Sequence, residues 1–379
     1  LSSLRQSNPL TGVPLVAKPQ SNNTGDARVS FPLELPGVRG DFAPSVGIAY
    51  ASKSGYGLLG EGWQLSIPEI TVETRWGVPV YDPELETETY LFNGEQLVPE
   101  AGEAFVGDPS DTLHLVPLPH RTTNLRPRKN GEARFVLRRD DGLWRLIRHG
   151  STPVDYWWEA WQEKPGSAAP KVSYFGNAPG RIPGAIEDAP PGNNGFVMRI
   201  GSIGGNPNAR AISKWVLARE VDAHRNVIDY DWSIDCQPAI AGDSECLAAT
   251  TASTASRQLI PQRILYTSNL ATEETVLRCR ENRAATGCDR EWASYEMLFT
   301  WLEPDGVYRR SDLRSGGLTV VSRLLNRIDV RGRRLKTARL GDTPLQWSCS
   351  NPFLRYSFAY RGEFDADGSS AADVTQRGS

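Results

Sequence analysis

Cysteine, histidine, methionine and lysine are all scarce in this sequence: 5, 4, 2 and 7 residues out of 379. Five cysteines are too few for a disulfide-built scaffold. No Cys-x-x-Cys pair occurs and no histidine stands at metal-ligand spacing from a cysteine, which argues against a structural zinc. Long apolar runs are missing too. None approaches the roughly 20 residues a membrane-spanning helix needs, so no membrane insertion by this segment is expected. Charge of one sign is absent: 42 basic residues face 45 acidic ones for a formal net charge of -3. Without a global field the chain has no means of recruiting nucleic acid or an anionic bilayer at long range. At the start, Leu1, Ser2, Ser3 and Arg5 are not followed by an apolar core of about 7 to 15 residues, so no signal peptide is read there.

What is abundant points the other way. Glycine (35) and proline (27) stand beside 11 Trp, 12 Tyr and 11 Phe. Breakers and large rigid side chains together favour many short strands joined by turns. Mean hydropathy is -0.42 and charged residues make up 23%, a composition of ordered globular protein. The basic side chains are mostly arginine, which we ascribe to genome composition, with planar guanidinium packing on aromatics as the alternative.

Residues 1–24 are rich in Pro, Ser and Asn without sustained periodicity and are read as an extended leader. From Ala27 the pattern alternates: Val29, Phe31, Leu33 and Leu35, then Val46, Ile48 and Tyr50 across the turn from Pro36 to Gly40, predict a hairpin. Gly55, Gly57, Gly60 and Gly62 form a glycine-rich loop ending at Trp63. No Lys-Ser/Thr follows, and the next run is a strand, whereas phosphate cradles open a helix. Trp63 is therefore expected as a buried anchor filling the bend, with Gly60 and Gly62 as structural positions. Pro68 interrupts the run from Gln64 to Thr74 and implies an edge or a bulge. Further hairpins are expected at Asn93-Gly94, between 133–139 and 143–149, between 153–161 and 171–176, and around 222–226. Four more strands are expected at 262–266, 294–301, 320–330 and 353–360, with a weak helical alternative at 322–326. No linker marks a clean boundary. The fold class is all-β: one elongated unit, 25–379, of many short antiparallel strands.

Cys236 and Cys246 bracket the loop QPAIAGDSE, and Cys279 and Cys288 bracket RENRAATG. These spacings suit two loop-closing disulfides, leaving Cys349 unpaired, each contributing about 3 kcal/mol in the chain-entropy model. Five reduced thiols are the alternative.

The order Phe31-Pro32-Leu33, Pro36, Gly40, Pro44-Ser45, Tyr50, Leu59-Gly60, Gly62-Trp63, Leu65, Ile67-Pro68, Ile70, Thr74, Gly77-Val78-Pro79, Tyr81 resembles the amino-terminal region of the SpvB/TcaC family, which comprises the bacterial virulence protein SpvB and the B component of insecticidal Tc toxin complexes. More loosely the resemblance continues through Leu97-Val98-Pro99, Trp157 and Tyr174-Gly176. Trp215, Asp222, Asn226 and Tyr230 also resemble an RHS/YD-type repeat. The resemblance implies an RHS-like shell or scaffold wall that carries or encloses a toxic enzyme located elsewhere. It implies a secreted, extracellular setting, with following domains of the same polypeptide or other toxin-complex subunits as partners.

Catalytic motifs are weak. An ADP-ribosyltransferase places an arginine strand, Ser-Thr-Ser and Glu-x-Glu in that order. Here Glu84-x-Glu86-x-Glu88 comes early and Ser253-Thr254-Ala255-Ser256 late, so the glutamates are read as a solvated acidic strand edge. No Gly-x-Ser-x-Gly elbow accompanies His114, His120, His149 or His224. Glu363 to Gly368 opens like a calcium loop, but Val374 stands where the closing glutamate belongs. Tyr156 and Trp158 share one strand face and could form a sugar platform; Trp157 points the other way. The chain is expected to be a non-enzymatic structural and delivery module without cofactor or metal. A carbohydrate or host-surface binding module is the alternative, and a cryptic hydrolase a third reading.

Overall fold

The computed structural model describes residues 20–21, 25–36, 38, 42–100, 128–139, 142–163, 171–177, 196–200, 211–237, 256–269, 293–302, 310–317, 319–335, 347–349, 351–360 and 373–378. Among these residues every regular element is a strand and every pairing is antiparallel, as the alternation and turn chemistry require.

The first six strands are β1 (Gln20–Ser21), β2 (Ala27–Pro32), β3 (Gly47–Ala51), β4 (Tyr56–Gly57), β5 (Gly60–Glu61) and β6 (Trp63–Ser66). A four-stranded sheet runs β1-β2-β3-β6, and β4 pairs β5 as a separate ribbon. The expected first hairpin forms, with Phe31 opposite Ile48. Gln20 and Ser21, within the stretch read as leader, pair with Arg28 and Ala27.

Nine strands follow: β7 (Glu69–Val72), β8 (Tyr90–Phe92), β9 (Glu95–Pro99), β10 (Ala133–Leu137), β11 (Trp144–His149), β12 (Trp157–Gln162), β13 (Lys171–Phe175), β14 (Val197–Ile200) and β15 (Ala211–Val221). Strands β7 to β13 pair in sequence order, β15 joins β7, and β13 pairs back onto β15. The ring is closed by eight strands, a size at which side chains fill the interior. Pro68 acts more strongly than as a bulge: lacking an N–H to donate, it separates β6, in the small sheet, from β7, in the barrel.

The remaining strands are β16 (Asn226–Gln237), β17 (Ser256–Asn269), β18 (Tyr295–Leu302), β19 (Arg310–Asp312), β20 (Thr319–Val321), β21 (Leu324–Leu335), β22 (Trp347–Cys349), β23 (Leu354–Ala359) and β24 (Asp373–Gly378). From β15 the sheet continues open through β16, β17, β18, β21, β23 and β24. β15 thus belongs to both barrel and open sheet, and its residues are buried on both faces. The weak helix at 322–326 is absent: Leu324 starts β21, whose Ile328 and Val330 face the core in a period of two.

Aromatic rings fill the barrel. Trp158 is fully buried and lies 4.9 Å from Tyr90, 5.2 Å from Phe135 and 5.9 Å from Trp215. Phe92 meets Phe175 at 5.8 Å and Trp144 at 4.9 Å. Such tilted and edge contacts suit ring quadrupoles better than flat stacking.

Candidate functional site

Two polar clusters lie at opposite ends of the barrel, as the strand register shows. At one end Arg148 pairs with Trp158, which pairs with Phe175; at the other Trp144 pairs with Gln162, which pairs with Lys171.

The first cluster is a buried knot of charge. Glu86 and Glu88 lie in the extended chain leading into β8, at alternate positions with Tyr90. Arg148 comes from β11, and Arg128 from the chain before β10. Arg148 clasps Glu86 with both terminal nitrogens, Nη2 to Oε1 at 2.5 Å and Nη1 to Oε2 at 2.9 Å. Arg128 Nη2 reaches Glu88 Oε2 at 2.5 Å, and its Nε donates to the carbonyl oxygen of Asp82 at 2.5 Å. The Arg148 guanidinium lies 4.0 Å from the ring centroid of Tyr156, a cation–π contact strengthened by desolvation. The Glu86 and Arg148 side chains are 18% and 0% exposed. Burial pushes the Glu86 carboxyl up, but the hydrogen bond from Arg148 and the charges of Arg148 and Arg128 pull it further down, leaving it below the ordinary range. Two carboxylates match two guanidiniums, so the knot is electrically balanced and held by charge-assisted bonds.

The reading of Glu84, Glu86 and Glu88 as a solvated edge is corrected here. Only Glu84 is exposed. A local pattern of alternating acids looks solvated until arginines 40 and 62 residues away in sequence are folded against it. Thr87, Glu88, Thr89 and Tyr90 are all buried, so alternation along this stretch carried no signal.

The second cluster fastens residues 33–36 and 42–46, a strap that meets the open sheet at β23 and β17 through Glu34 and Pro36 and at β16 and β15 through Ser45. Glu34 N–H donates to Tyr356 Oη at 2.8 Å, Tyr266 Oη donates to the carbonyl oxygen of Pro36 at 3.1 Å, and Ser45 N–H donates to Tyr230 Oη at 2.8 Å. Tyr230 in turn donates to Glu220 Oε2 at 2.6 Å. Glu220 also accepts from Ser45 Oγ at 2.9 Å and pairs with Lys171. Burial, then the Glu220 charge, pushes the Tyr230 hydroxyl well above its ordinary value, so it stays a donor at any working pH. Leu33, at the start of this strap, is buried, and Leu35, Val38, Phe42 and Val46 pack against the core. The opposite face of the open sheet carries cross-strand ion pairs: Arg219–Asp229 at 2.8 Å, Arg263–Asp231 at 2.6 Å and Arg355–Asp329 at 2.6 Å.

Trp63 is half-buried rather than buried, on β6, with its ring 5.1 Å from Tyr50. Gly62 has a φ of +74°, and a Cβ there would stand 2.6 Å from Tyr50 Cε2, so glycine is required by backbone and space alike. Gly60 is buried with φ +93° beside Tyr360, and Pro68 is half-buried. Cys236 lies on β16, while Cys246, Cys279 and Cys288 lie outside the described residues, as do His114, His120, Ser253 and the Glu363 to Gly368 loop. His149 ends β11 with its ring stacked 3.9 Å from Trp157, and its nitrogens 3.7 Å from Glu132 and 3.5 Å from Glu159. His224 sits exposed in the turn before β16. Tyr156 and Trp158 are buried, so they offer no sugar platform. Among the described residues no group of three or more His, Cys, Asp or Glu side chains converges as a metal site.

Residues 21–150 match the family described as SpvB, Salmonella virulence plasmid 65kDa B protein. No curated protein matches the sequence. A Photorhabdus luminescens Tc holotoxin pore structure (mutation TccC3-D651A) matches 95% of this chain with a TM-score of 0.56 at 18% identity, over 15% of its own chain. A TcdB2-TccC3 crystal structure matches 94% at 18% identity with a TM-score of 0.55, over 16% of its chain. The amino-terminal domain of SpvB from Salmonella typhimurium strain LT2 matches 92% with a TM-score of 0.53 at 16% identity, over 98% of that chain. The chain therefore spans about 15% of the toxin chains it matches and nearly the whole of the SpvB domain. The resemblance read at residues 25–82 and the all-β fold are both borne out.

Proposed function

We propose that this chain is a non-enzymatic structural and delivery module of a secreted bacterial toxin: a stretch of β-shell that helps to carry or enclose a toxic domain located elsewhere. The observation that carries this reading is the fold match over 95% of the chain to a Tc toxin subunit. Internal architecture supports it. A shell wall must keep a broad sheet rigid without a second sheet stacked upon it, and here the strap lies on one face while ion pairs stitch the other. Glu86 and Glu88, the best-placed acids for carboxylate chemistry, are consumed by Arg148 and Arg128. The partners are other domains of the same polypeptide or other toxin-complex subunits, and the setting is extracellular. Cys236–Cys246 and Cys279–Cys288 are proposed as disulfides; non-reducing mass spectrometry would show two bridges and one thiol, and five thiols would remove them.

The test is turnover. NAD hydrolysis and protein ADP-ribosylation by residues 1–379 should stay at background while circular dichroism shows folded β-structure. Sustained NAD-dependent modification of a target protein would overturn the reading.

A further inference from the structure

Four of the seven large apolar side chains exposed among the described residues gather at one tip. Trp76, Val78 and Val80 occupy the loop between β7 and β8, at 65%, 61% and 69% exposure, and Leu313 stands at 62% in the turn after β19. The two loops touch: a Cβ on Gly316 would lie 3.2 Å from Val78 Cγ1. Around Gly77 nothing approaches within 4 Å of a virtual Cβ, so the tip projects into open space.

Both stems of the loop are fixed. On one side Arg75 folds back on Glu73, N–H to Oε1 at 2.8 Å and Nε to Oε2 at 2.7 Å. On the other, Tyr81 is held at φ +54°, a rare conformation for a bulky residue. Its N–H donates to Glu88 at 2.6 Å and its hydroxyl to the carbonyl oxygen of Ser315 at 3.0 Å. Exposed apolar groups on a clamped loop are preorganised for contact. The collar beneath holds two ion pairs with their guanidiniums outward: the Arg75 side chain is 67% exposed above a buried Glu73, and Arg314 is 75% exposed beside Asp312, whose side chain is 42% exposed.

We propose that this tip is a peripheral membrane contact, with Val78, Val80 and Leu313 entering the interfacial layer of a bilayer, Trp76 at the headgroup level, and Arg75 and Arg314 against lipid phosphates. An indole between an apolar tip and a guanidinium collar matches the polarity gradient of a lipid surface. Four side chains at these exposures present on the order of 400 to 500 Å² of apolar surface, comparable to the largest patch on a monomer, but short of the roughly 800 Å² per side of a stable pair of copies. A bilayer supplies an apolar phase without a complementary partner surface. No spanning segment is needed, and the contact does not depend on the shell reading.

Vesicle cosedimentation of the chain tests this, with phosphatidylcholine alone and with one quarter phosphatidylglycerol. The wild type should partition onto both. Val78→Asp and Val80→Asp should each weaken partitioning at least about tenfold, with unchanged thermal midpoints. Leu302→Asp, an exposed apolar position elsewhere on β18, should bind as wild type. Failure of the wild type to sediment with either vesicle overturns the proposal, as does equal binding by the two aspartate variants. Sedimentation velocity showing self-association that Val78→Asp abolishes, without vesicle binding, would overturn it in favour of a second copy as the occupant.

Discussion

The barrel and the open sheet share β15 yet solve different problems. A closed ring has no edges, but it has two ends where strands stop and water could reach the core. Here both ends carry charge, Glu86 with Arg148 at one and Glu220 with Lys171 at the other. The open sheet has a face to cover, and it uses a strap whose polar backbone is satisfied by tyrosine hydroxyls rising from β16, β17 and β23. Rings fill the barrel; in the open sheet, rings carry hydroxyls outward to hold a crossing chain. Aromatic residues thus serve packing in one region and anchoring in the other.

The sharpest way to break the comparison is to remove one charge from the knot. Arg148→Ala leaves the Glu86 carboxylate buried without its main partner and should cost about 3 to 5 kcal/mol in chemical denaturation. Replacing both partners together, Arg148→Met with Glu86→Leu, should recover most of that loss, because no orphan charge remains. A double variant as unstable as the single one would show that geometry rather than charge balance holds this end.

Strap variants should be milder. Tyr230→Phe removes the donor to Glu220 and the acceptor for Ser45 N–H, leaving a buried carboxylate short of one bond, and should cost about 1 to 3 kcal/mol. Tyr356→Phe, which touches only the backbone of Glu34, should cost about 1 kcal/mol. Limited proteolysis after Arg39 should accelerate in both. A strap equally protected in both variants would show that Leu33 and Leu35, not the hydroxyls, fasten it.

Acid separates the regions further. The Glu86 carboxyl is held below its ordinary value of 4.5, so the stability it contributes is present above about pH 4.5 and is lost as pH falls through the lower folded-state value. Glu86→Gln should therefore flatten the fall in stability between about pH 5 and 3. Denaturation curves at stepped pH would measure this. A variant as acid-sensitive as the wild type would assign the acid transition to other carboxylates.

Local chemistry decided which of these features the sequence could display. The hairpin at Asn93-Gly94 was legible because both residues adopt positive φ, 51° and 83°, the demand of a tight two-residue turn. The strands around 222–226 were legible for a similar reason: Asp222 accepts backbone N–H groups of His224 and Asn226, an Asx turn written in the residues themselves. Barrel closure was not legible. It depends on β13 pairing with β15 across an intervening stretch, and on β7 meeting the same strand about 140 residues later in sequence. Alternation cannot name a partner at that distance. The strap escaped notice because Pro36 and Gly37 look like a turn, while the tyrosines that catch the chain are 185 to 322 residues away.

Trp63 gives a small effect and the finest test. From the glycine bend alone it should be a deep anchor, whose loss would cost about 3 to 5 kcal/mol. In the fold its β-strand has alternating half-buried and exposed positions, and the ring leans on Tyr50 at 5.1 Å with an interplanar angle of 52°. Trp158, by contrast, is fully enclosed by Tyr90, Phe135 and Trp215. Truncating Trp158 to alanine should leave a large cavity and reach the upper part of that range. At Trp63 water can enter the space left behind, so no closed cavity remains and only the transfer part of the cost applies, about 1 to 2 kcal/mol. Parallel denaturation of Trp63→Ala and Trp158→Ala should keep this order. Equal losses would mean that the small sheet is held to the barrel through Trp63 more tightly than its exposure indicates.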